Sequence, residues 1–312
     1  QGPGMSSFDA AVIGSGPAGV TAALYLVRSG CSVILFEKMA AGGQILQTEA
    51  LENYPGYPKG IKGYELADLF AAHLEDLPVT HSRDAVESVS GEAGNFVVQA
   101  GGKEHSCRTV IVCSGAHHRE LGLADEKRLQ GRGVSYCALC DGNFFRNAPV
   151  AVVGGGNAAL EESLYLAKLA SKVYLIHRRD EFRGAKIYQD KLESMPDKVE
   201  LVRSSVVTAL HGENALTSLS VRDLKTDEIR QISVEGLFIY VGFEPATAYL
   251  PAALERDAQG FIVTDTEMRT SIPGIFAAGD VRSKLCRQVI TAAGDGATAA
   301  QAAFVFLEQL HV

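Results

Sequence analysis

The sequence predicts an α/β fold with two three-layer units of similar design, and three observations point to it. A short apolar, β-branched segment at residues 8–13 runs directly into a glycine-rich turn, and the same succession recurs after residues 150–153. In both places a segment with apolar residues at helical spacing follows, and then a second apolar strand. The chain has 312 residues, a length expected of about two domains.

The first unit has the elements of a dinucleotide-binding, Rossmann-like motif. A predicted strand at 8–13 leads into Gly14-Ser15-Gly16-Pro17-Ala18-Gly19, then a helix over 20–29 and a strand over 31–36 that ends at Glu37. Glycines in such a turn let the backbone approach a pyrophosphate, which the free N–H groups at the helix N-terminus favour. Glu37 is placed to accept hydrogen bonds from ribose hydroxyls. We therefore expect a nucleotide with a free ribose here.

The second unit repeats this pattern with one informative difference. Its turn is Gly154-Gly155-Gly156-Asn157-Ala158-Ala159, and its second strand, 173–176, ends at His177 where the first unit has Glu37. Arg178, Arg179 and Arg183 follow. A carboxylate would repel a 2′-phosphate, whereas guanidinium groups bind it bidentately. The pattern favours NADPH in this unit over the alternative of a solvated basic rim.

The segment Cys137-Ala138-Leu139-Cys140-Asp141-Gly142 carries the candidate redox chemistry. Two thiols separated by two residues can alternate between dithiol and disulfide, and the Asp141 carboxyl group is within reach of a thiolate. A structural zinc site is disfavoured, because it needs four ligands and no second Cys/His pair lies nearby. The remaining cysteines are expected to be small buried residues: Cys31, Cys107, Cys113 and Cys286.

Composition and the start of the sequence limit the partners and the cellular location that we expect. The net charge is −8 with no basic tract, which argues against a nucleic-acid partner. Apolar runs are short and broken by Gly or charge, so no transmembrane helix is expected. Residues 1–4 resemble the remnant of a protease-cleaved tag, and no basic leader precedes the first strand, so we expect a cytoplasmic protein.

The rest of the chain is predicted to complete both units. Turns are expected at 41–44 and 52–58, and a polar connection at 122–133. Predicted strands and helices are a β-hairpin at 85–100, strands at 109–116, 199–207, 216–223, 235–242 and 274–280, and helices at 185–194 and 294–310.

Taken together, these motifs resemble the low-molecular-weight thioredoxin reductases of the pyridine nucleotide-disulfide oxidoreductase family. The resemblance extends over nearly the whole chain from Met5. Besides the two glycine turns and the cysteine pair, it rests on Gly42-Gly43-Gln44, Glu52-Asn53-Tyr54-Pro55-Gly56-Tyr57-Pro58, His177 to Arg183, Gly279-Asp280 and Arg287-Gln288. Leu139 and Asn143 depart from the residues common in members of this family. The resemblance therefore predicts the type of reaction better than it predicts the protein that is reduced.

The resemblance implies how the chain is divided. An FAD-binding domain would comprise 5–118 and 246–312, with an NADPH-binding domain, 119–245, inserted between them. The implied FAD residues are Gly14, Gly16, Pro17, Ala18, Gly19, Glu37, Lys38, Gly43, Gln44, Asn53, Gly115, Gly279, Asp280, Arg287 and Gln288. The implied NADPH residues are Gly154, Gly156, Asn157, Ala158, His177, Arg178, Arg179 and Arg183.

The resemblance also implies a reaction and an assembly. Electrons would pass from NADPH to FAD, to the Cys137–Cys140 disulfide and on to thioredoxin, with the enzyme a homodimer. Cys140 would face the flavin, Cys137 would attack the partner, and Asp141 would donate and accept protons. Because the disulfide and the NADPH site share one inserted segment, that segment would rotate about connections near Gly115-Ala116 and Phe243-Glu244-Pro245.

Three further alternatives are weighed against this reading. A flavin-dependent dithiol oxidase would lack the basic 2′-phosphate site. A glutathione-reductase-type enzyme would carry its redox cysteines around residues 40–50, where there are none. A reductase of another thioredoxin-like or glutaredoxin-like partner stays open because of Asn143.

Overall fold

The computed structural model describes residues 6–47 and 51–310. By its internal contacts the described chain forms two compact units, one of residues 6–47, 54–117 and 244–310 and another of residues 51–53 and 118–243. The domain boundaries expected from the sequence are 118/119 and 245/246. The contacts divide the two units at 117/118 and 243/244, and residues 51–53 group with the second unit. The suspected tag remnant at residues 1–4 lies outside the described residues.

Both units are mixed α/β. The strands are β1 (Ser6–Ile13), β2 (Val33–Phe36), β3 (Val79–Ser82), β4 (Val86–Glu92), β5 (Asn95–Ala100), β6 (Lys103–Val112), β7 (Ala116–His118), β8 (Val134–Ser135), β9 (Pro149–Val153), β10 (Lys172–Ile176), β11 (Val199–Val202), β12 (Ser205–His211), β13 (Ser218–Asp223), β14 (Ile229–Ser233), β15 (Gly236–Ile239), β16 (Phe243–Pro245) and β17 (Ile275–Ala277). The α-helices are α1 (Pro17–Arg28), α2 (Gly63–Ala72), α3 (Ala138–Asp141), α4 (Asn157–Ala167), α5 (Lys186–Glu193) and α6 (Val289–Gln309).

The first unit is organised around the long strand β6. The sheet order is β3-β2-β1-β6-β5-β4, with β17 also paired to β6. Strands β1, β2, β3 and β17 run parallel to β6, while β4 and β5 form an antiparallel extension. Along β6, Cys107 pairs with Phe96 of β5 and Val110 pairs with Ile275 of β17, so one strand serves both parts of the sheet.

Alternate residues of β1 point into two different cores, which gives the first unit its layers. Ala10 and Val12 pack with α1 and α6 on one face. Ala11 and Ile13 pack on the other face with β4, β5 and the segment before β17. This period-two division of a fully buried strand is what a sheet covered on both sides requires.

The second unit repeats the arrangement. Its parallel sheet has the order β11-β10-β9-β15-β8, and a separate antiparallel sheet has the order β12-β13-β14. Val150 and Val152 of β9 face a core shared with α3, α4 and α5, whereas Ala151 faces the antiparallel sheet. The predicted two-unit, three-layer fold is confirmed.

Several local predictions need correction. The segment 199–207 is two strands rather than one, because Ser204 adopts a positive φ of 51° between β11 and β12. Helix α6 begins at Val289, five residues earlier than expected, because Gln288 and Thr291 form a capping box there. Cys286 is exposed, not buried, since it lies in a surface segment beside Leu285, which is 95% exposed.

Helix α6 is the element of the described chain that has the length and apolar composition of a membrane span. The sequence analysis expected no such helix. Ala292, Ala299 and Ala303 of α6 belong to the same core as α1, as in the buried helix of a folded domain. Length and composition alone are therefore weak evidence for a span.

The contact between α6 and α1 depends on one glycine. A Cβ on Gly296 would lie 2.2 Å from the backbone oxygen of Ala18, whereas a Cβ on Gly294 of the same helix would have no neighbour within 4 Å. A side chain at position 296 must therefore push the helices apart.

We expect Gly296→Ala to lower the free energy of unfolding by about 1–3 kcal/mol through overpacking. The matched variant Gly294→Ala should be neutral or raise it by about 0.5–1 kcal/mol, because alanine favours helix over glycine. Urea denaturation of both variants in parallel measures the difference. Equal stability of the two variants would contradict this account of the helix contact.

Candidate active site

The first glycine turn is constrained by close backbone contacts. Gly14 has a φ of 103°, and a Cβ there would lie 2.2 Å from the carbonyl oxygen of Cys113. A Cβ on Gly19 would lie 1.7 Å from the oxygen of Gly14. Helix α1 begins directly after Gly16, whose position provides no side-chain cap. The N–H groups at its start are thus placed to bind an anion.

Glu37 ties the end of β2 to this turn. One carboxylate oxygen, Oε2, accepts hydrogen bonds from the backbone N–H of Ser15 at 3.0 Å and from its hydroxyl at 3.1 Å. The other, Oε1, accepts from the N–H of Met39 at 3.1 Å. The sequence predicted Glu37 as a ribose acceptor but missed this second role in shaping the turn. A carboxylate has acceptor sites left for a ribose.

Other predicted residues of this site lie in the same unit, with one exception. Gly43 approaches Gly16 closely, since a Cβ on Gly43 would lie 3.4 Å from the Gly16 Cα. The side chain of Gln44 donates to the carbonyl oxygen of Ala116. Lys38 is exposed. Asn53 groups with the second unit.

The turn Gly279–Val281 follows β17 and lies near the start of α1, since a Cβ on Gly279 would lie 3.0 Å from the Ala18 Cβ. The Asp280 atom Oδ1 is buried and has no hydrogen-bond partner in the described part of the chain. Burial raises the pKa of Asp280, and the cations Lys284 and Arg287 act in the opposite direction. A buried acceptor of this kind fits a ligand that presents hydroxyl donors, such as the ribityl chain of FAD.

Asp295 of α6, which the sequence analysis did not single out, holds this turn in place. Its Oδ2 accepts from the backbone N–H of Gly279 at 3.1 Å. The same oxygen pairs with Arg282 at 3.0 Å and Lys284 at 2.8 Å, all three side chains being largely buried. A buried acid shared by two cations and a backbone donor is well satisfied and therefore rigid.

Arg287 and Gln288 follow on the same side. The Arg287 guanidinium lies over the ring of Phe261, 4.0 Å from its centroid. It donates to the carbonyl oxygens of Asp280 at 3.3 Å and Arg282 at 3.2 Å. Gln288 begins α6 in its capping box. Arg287 is thus joined by a hydrogen bond to the Asp280 turn.

The second glycine turn has the same backbone constraint as the first. Gly154 has a φ of 147°, and a Cβ there would lie 2.3 Å from the carbonyl oxygen of Tyr240. Helix α4 starts after Gly156, again without a side-chain cap. The Asn157 side chain accepts from the N–H of Ala185 at 2.7 Å, which attaches the start of α4 to the segment after Arg183.

The predicted phosphate-binding residues differ in their exposure to solvent. Arg178, Arg179 and Arg183 are exposed, and Asp180 beside them pairs with Lys225 at 2.6 Å. His177 is buried, and a Cβ on Gly155 would lie 2.2 Å from its ring. Its ring therefore packs against the glycine turn, while the three guanidinium groups are available to an anionic ligand.

The environment of His177 favours the neutral imidazole. Burial lowers its pKa, and the charge of Arg183 lowers it further. The ring stacks on Phe182 with centroids 5.3 Å apart, and its Nε2 has no hydrogen-bond partner among the described residues. A neutral, stacked ring suits support of the turn better than direct binding of a phosphate.

The cysteine pair lies on the one-turn helix α3. Cys137 and Cys140 form a disulfide, and the backbone N–H of Cys140 donates to the Cys137 sulfur at 3.2 Å. The N–H of Ala138 donates to the Tyr240 hydroxyl at 2.6 Å. Asp141 Oδ2 accepts from the Ser135 hydroxyl at 2.6 Å. Ser135 and Tyr240 were not predicted from the sequence. Tyr240 is remote in the chain from the motif, and the Ser135 hydroxyl contacts are set by the end of β8.

Two apolar side chains are exposed beside the disulfide. Leu139 is 43% exposed and Phe144 is 54% exposed. Asn143 donates to Glu52 at 2.9 Å and accepts from Arg146 at 3.0 Å. In the described part of the chain no three His, Cys, Asp or Glu side chains are grouped so as to hold a metal ion.

Comparison with known proteins agrees with this geometry. Residues 8–296 match the profile of the pyridine nucleotide-disulphide oxidoreductases. Thioredoxin reductase of Treponema pallidum (strain Nichols) is 41% identical over 98% of this chain and 99% of that protein. Thioredoxin reductase of Bacillus subtilis (strain 168) is 40% identical over 97% of this chain and 96% of that protein.

A solved structure also resembles this chain in fold and in sequence. The crystal structure of thioredoxin reductase from Streptococcus pyogenes MGAS5005 matches with a TM-score of 0.92 and 43% identity, covering 97% of this chain and 99% of that one. The chain is thus similar in fold and in sequence to proteins that it matches along nearly their full length. The chain belongs to the pyridine nucleotide-disulphide oxidoreductase family, as an FAD-binding, NADPH-dependent enzyme.

Proposed function

We propose that the protein is a thioredoxin reductase, which passes electrons from NADPH through FAD and the Cys137–Cys140 disulfide to the disulfide of a thioredoxin. The observation that carries the proposal is a disulfide next to a carboxyl group, in the same unit as a glycine turn flanked by exposed arginines. The names of the relatives agree with it.

The proposed FAD site lies in the first unit. Gly14, Gly16 and the N-terminus of α1 would take the pyrophosphate, Glu37 a ribose and Asp280 the ribityl chain. When bound, FAD would supply the two-electron redox chemistry that links a hydride donor to a disulfide. Asp295 would keep the Gly279-Asp280 turn in place through its bond to the Gly279 N–H.

The proposed NADPH site lies in the second unit. The N-terminus of α4 would take the pyrophosphate, and Arg178 and Arg179, with Arg183, would take the 2′-phosphate through charge-assisted hydrogen bonds. His177 would act beneath the turn by supporting Gly155.

Cys137, Cys140 and Asp141 would perform the thiol chemistry. A thiolate at Cys137 attacks the partner disulfide, which forms a mixed disulfide and releases one partner sulfur. Cys140 then attacks the Cys137 sulfur and releases the other. Asp141 is the group placed to give and take the protons of these steps.

We further propose that the second unit rotates during turnover about its two connections to the first. The nicotinamide and the disulfide must each meet the same flavin face, so they must do so in turn. The connecting strands β7 and β16 pair with one another as a two-stranded sheet, which suits a pair of hinges. Residues near Gly115-Ala116 and Phe243-Glu244-Pro245 would absorb the change.

The proposed setting is a cytoplasmic homodimer that binds thioredoxin or a thioredoxin-like protein. The net charge of −8 and the lack of a basic tract support the absence of a nucleic-acid partner. Leu139 and Phe144 offer apolar surface beside the disulfide to a protein partner. No membrane association is proposed.

The nucleotide preference tests the arginine assignment. We expect NADPH to reduce the bound flavin much faster than NADH does, as followed by stopped-flow absorbance. Arg178→Ala and Arg179→Ala should each raise the KM for NADPH about ten- to hundredfold, since one charged hydrogen bond contributes about 1.5–3 kcal/mol. Arg222→Ala, an exposed arginine on β13, is the control. Equal rates with both nucleotides in the unaltered protein would refute the assignment.

Removal of one sulfur tests the electron path. Cys140→Ser should leave flavin reduction by NADPH intact and abolish reduction of thioredoxin, because the disulfide can no longer form. Cys286→Ser, which removes an exposed thiol outside the site, should keep both activities. Thioredoxin turnover that persists in Cys140→Ser would remove this sulfur from the path.

A further inference from the structure

Ser135 connects the disulfide to the carboxyl group that follows it. It is the last residue of β8, where it pairs with Phe238 of the neighbouring strand β15, and it is 5% exposed. Its position is therefore set by the sheet and not by the short helix α3. A buried hydroxyl at this place has fixed neighbours.

Three polar groups lie within hydrogen-bond distance of the Ser135 hydroxyl. Oγ accepts from the backbone N–H of Cys137 at 3.1 Å. It donates to Asp141 Oδ2 at 2.6 Å, and the carbonyl oxygen of Cys137 is a second acceptor at 3.3 Å. The hydroxyl has one proton, so the short bond to the charged oxygen is the stronger of the two alternatives.

The two acceptors let one hydroxyl serve both protonation states of Asp141. When the carboxyl group is ionised, Ser135 donates to it. When the carboxyl group is protonated, it can donate to Oγ, and the serine proton can turn to the carbonyl oxygen of Cys137. A side chain without a hydroxyl can do neither.

We propose that Ser135 is a positioning residue that orients Asp141 for proton transfer and stabilises its ionised form. The inference rests on the proposed function and extends it. When the Cys137–Cys140 bond accepts an electron pair, the S–S bond breaks to leave two sulfurs with one proton from Asp141. Asp141 is then ionised, with the Ser135 hydroxyl as donor, until it recovers a proton from solvent or a thiol.

Other titratable groups around Asp141 act at longer range. The Tyr240 hydroxyl is bound to the N–H of Ala138, and burial raises the pKa of Tyr240, with a further contribution from Glu162. Burial, together with the charge of Glu161, raises the pKa of Glu162 to about 7. The charges of Glu162 and Asp141 both act on Tyr240, which places Tyr240 among the titratable groups close to Asp141.

The test compares Ser135→Ala, Ser135→Thr and Ser163→Ala in the FAD-loaded enzyme. Ser163 is a fully buried serine of α4 whose hydroxyl donates to the Ala159 carbonyl of the same helix at 2.7 Å, and it is the matched control. The readout is the rate at which NADPH reduces the enzyme's own Cys137–Cys140 disulfide, trapped by alkylation and mass spectrometry across pH. Thioredoxin turnover is measured alongside.

We expect Ser135→Ala to slow reduction of the disulfide about ten- to hundredfold, the effect of losing a hydrogen bond to a charged group. The alkaline limb of the pH–rate profile, where the rate falls because Asp141 has lost the proton that it donates, should move to higher pH, since a carboxylate without its donor holds its proton longer. The rate of flavin reduction by NADPH should be unchanged. Ser135→Thr should restore most of the rate, and Ser163→Ala should match the unaltered enzyme.

Two results would overturn the proposal. One is a Ser135→Ala profile that coincides with that of the unaltered enzyme. The other is a uniform loss of rate with no pH shift and no rescue by Thr, which would indicate a structural role. If the unaltered enzyme reduces its own disulfide but no thioredoxin, the partner assignment fails, while the Ser135 comparison still decides this proposal.

Discussion

A helix of one turn has little stability of its own, so the position of the disulfide depends on the hydrogen bonds that hold α3. Tyr240, at the end of β15, binds the N–H of Ala138, and Ser135, at the end of β8, binds the N–H of Cys137. Both anchors come from neighbouring strands of one parallel sheet. The sheet thereby fixes where the sulfurs and the Asp141 carboxyl group lie.

The same sheet edge also forms the second glycine turn. Gly154 follows β9 and approaches the carbonyl oxygen of Tyr240, the residue whose hydroxyl anchors α3. The nucleotide-binding turn and the disulfide are thus connected through a single residue. A substitution at Tyr240 is expected to affect both, which makes Tyr240 a poor site for separating their roles.

The sequence could predict what depends on local pattern. The two strand–turn–helix units, the acid at Glu37 and the arginines after His177 follow from spacing and composition, and the order of motifs identified the family. Contacts that depend on long-range packing could not be predicted. The packing of the His177 ring against Gly155 is one of them, and the hydrogen bond of Asp295 to a turn that precedes it by sixteen residues is another. No local pattern signals such contacts.

The central claim is that an electron pair from NADPH reaches the Cys137–Cys140 bond. An anaerobic titration of the FAD-loaded protein with NADPH, followed by alkylation of its thiols, measures this directly. The account predicts that the protein accepts electrons beyond those needed to reduce its flavin and that Cys137 and Cys140 become alkylated together. The account would be contradicted if electron uptake ended with the flavin reduced and neither Cys137 nor Cys140 alkylated.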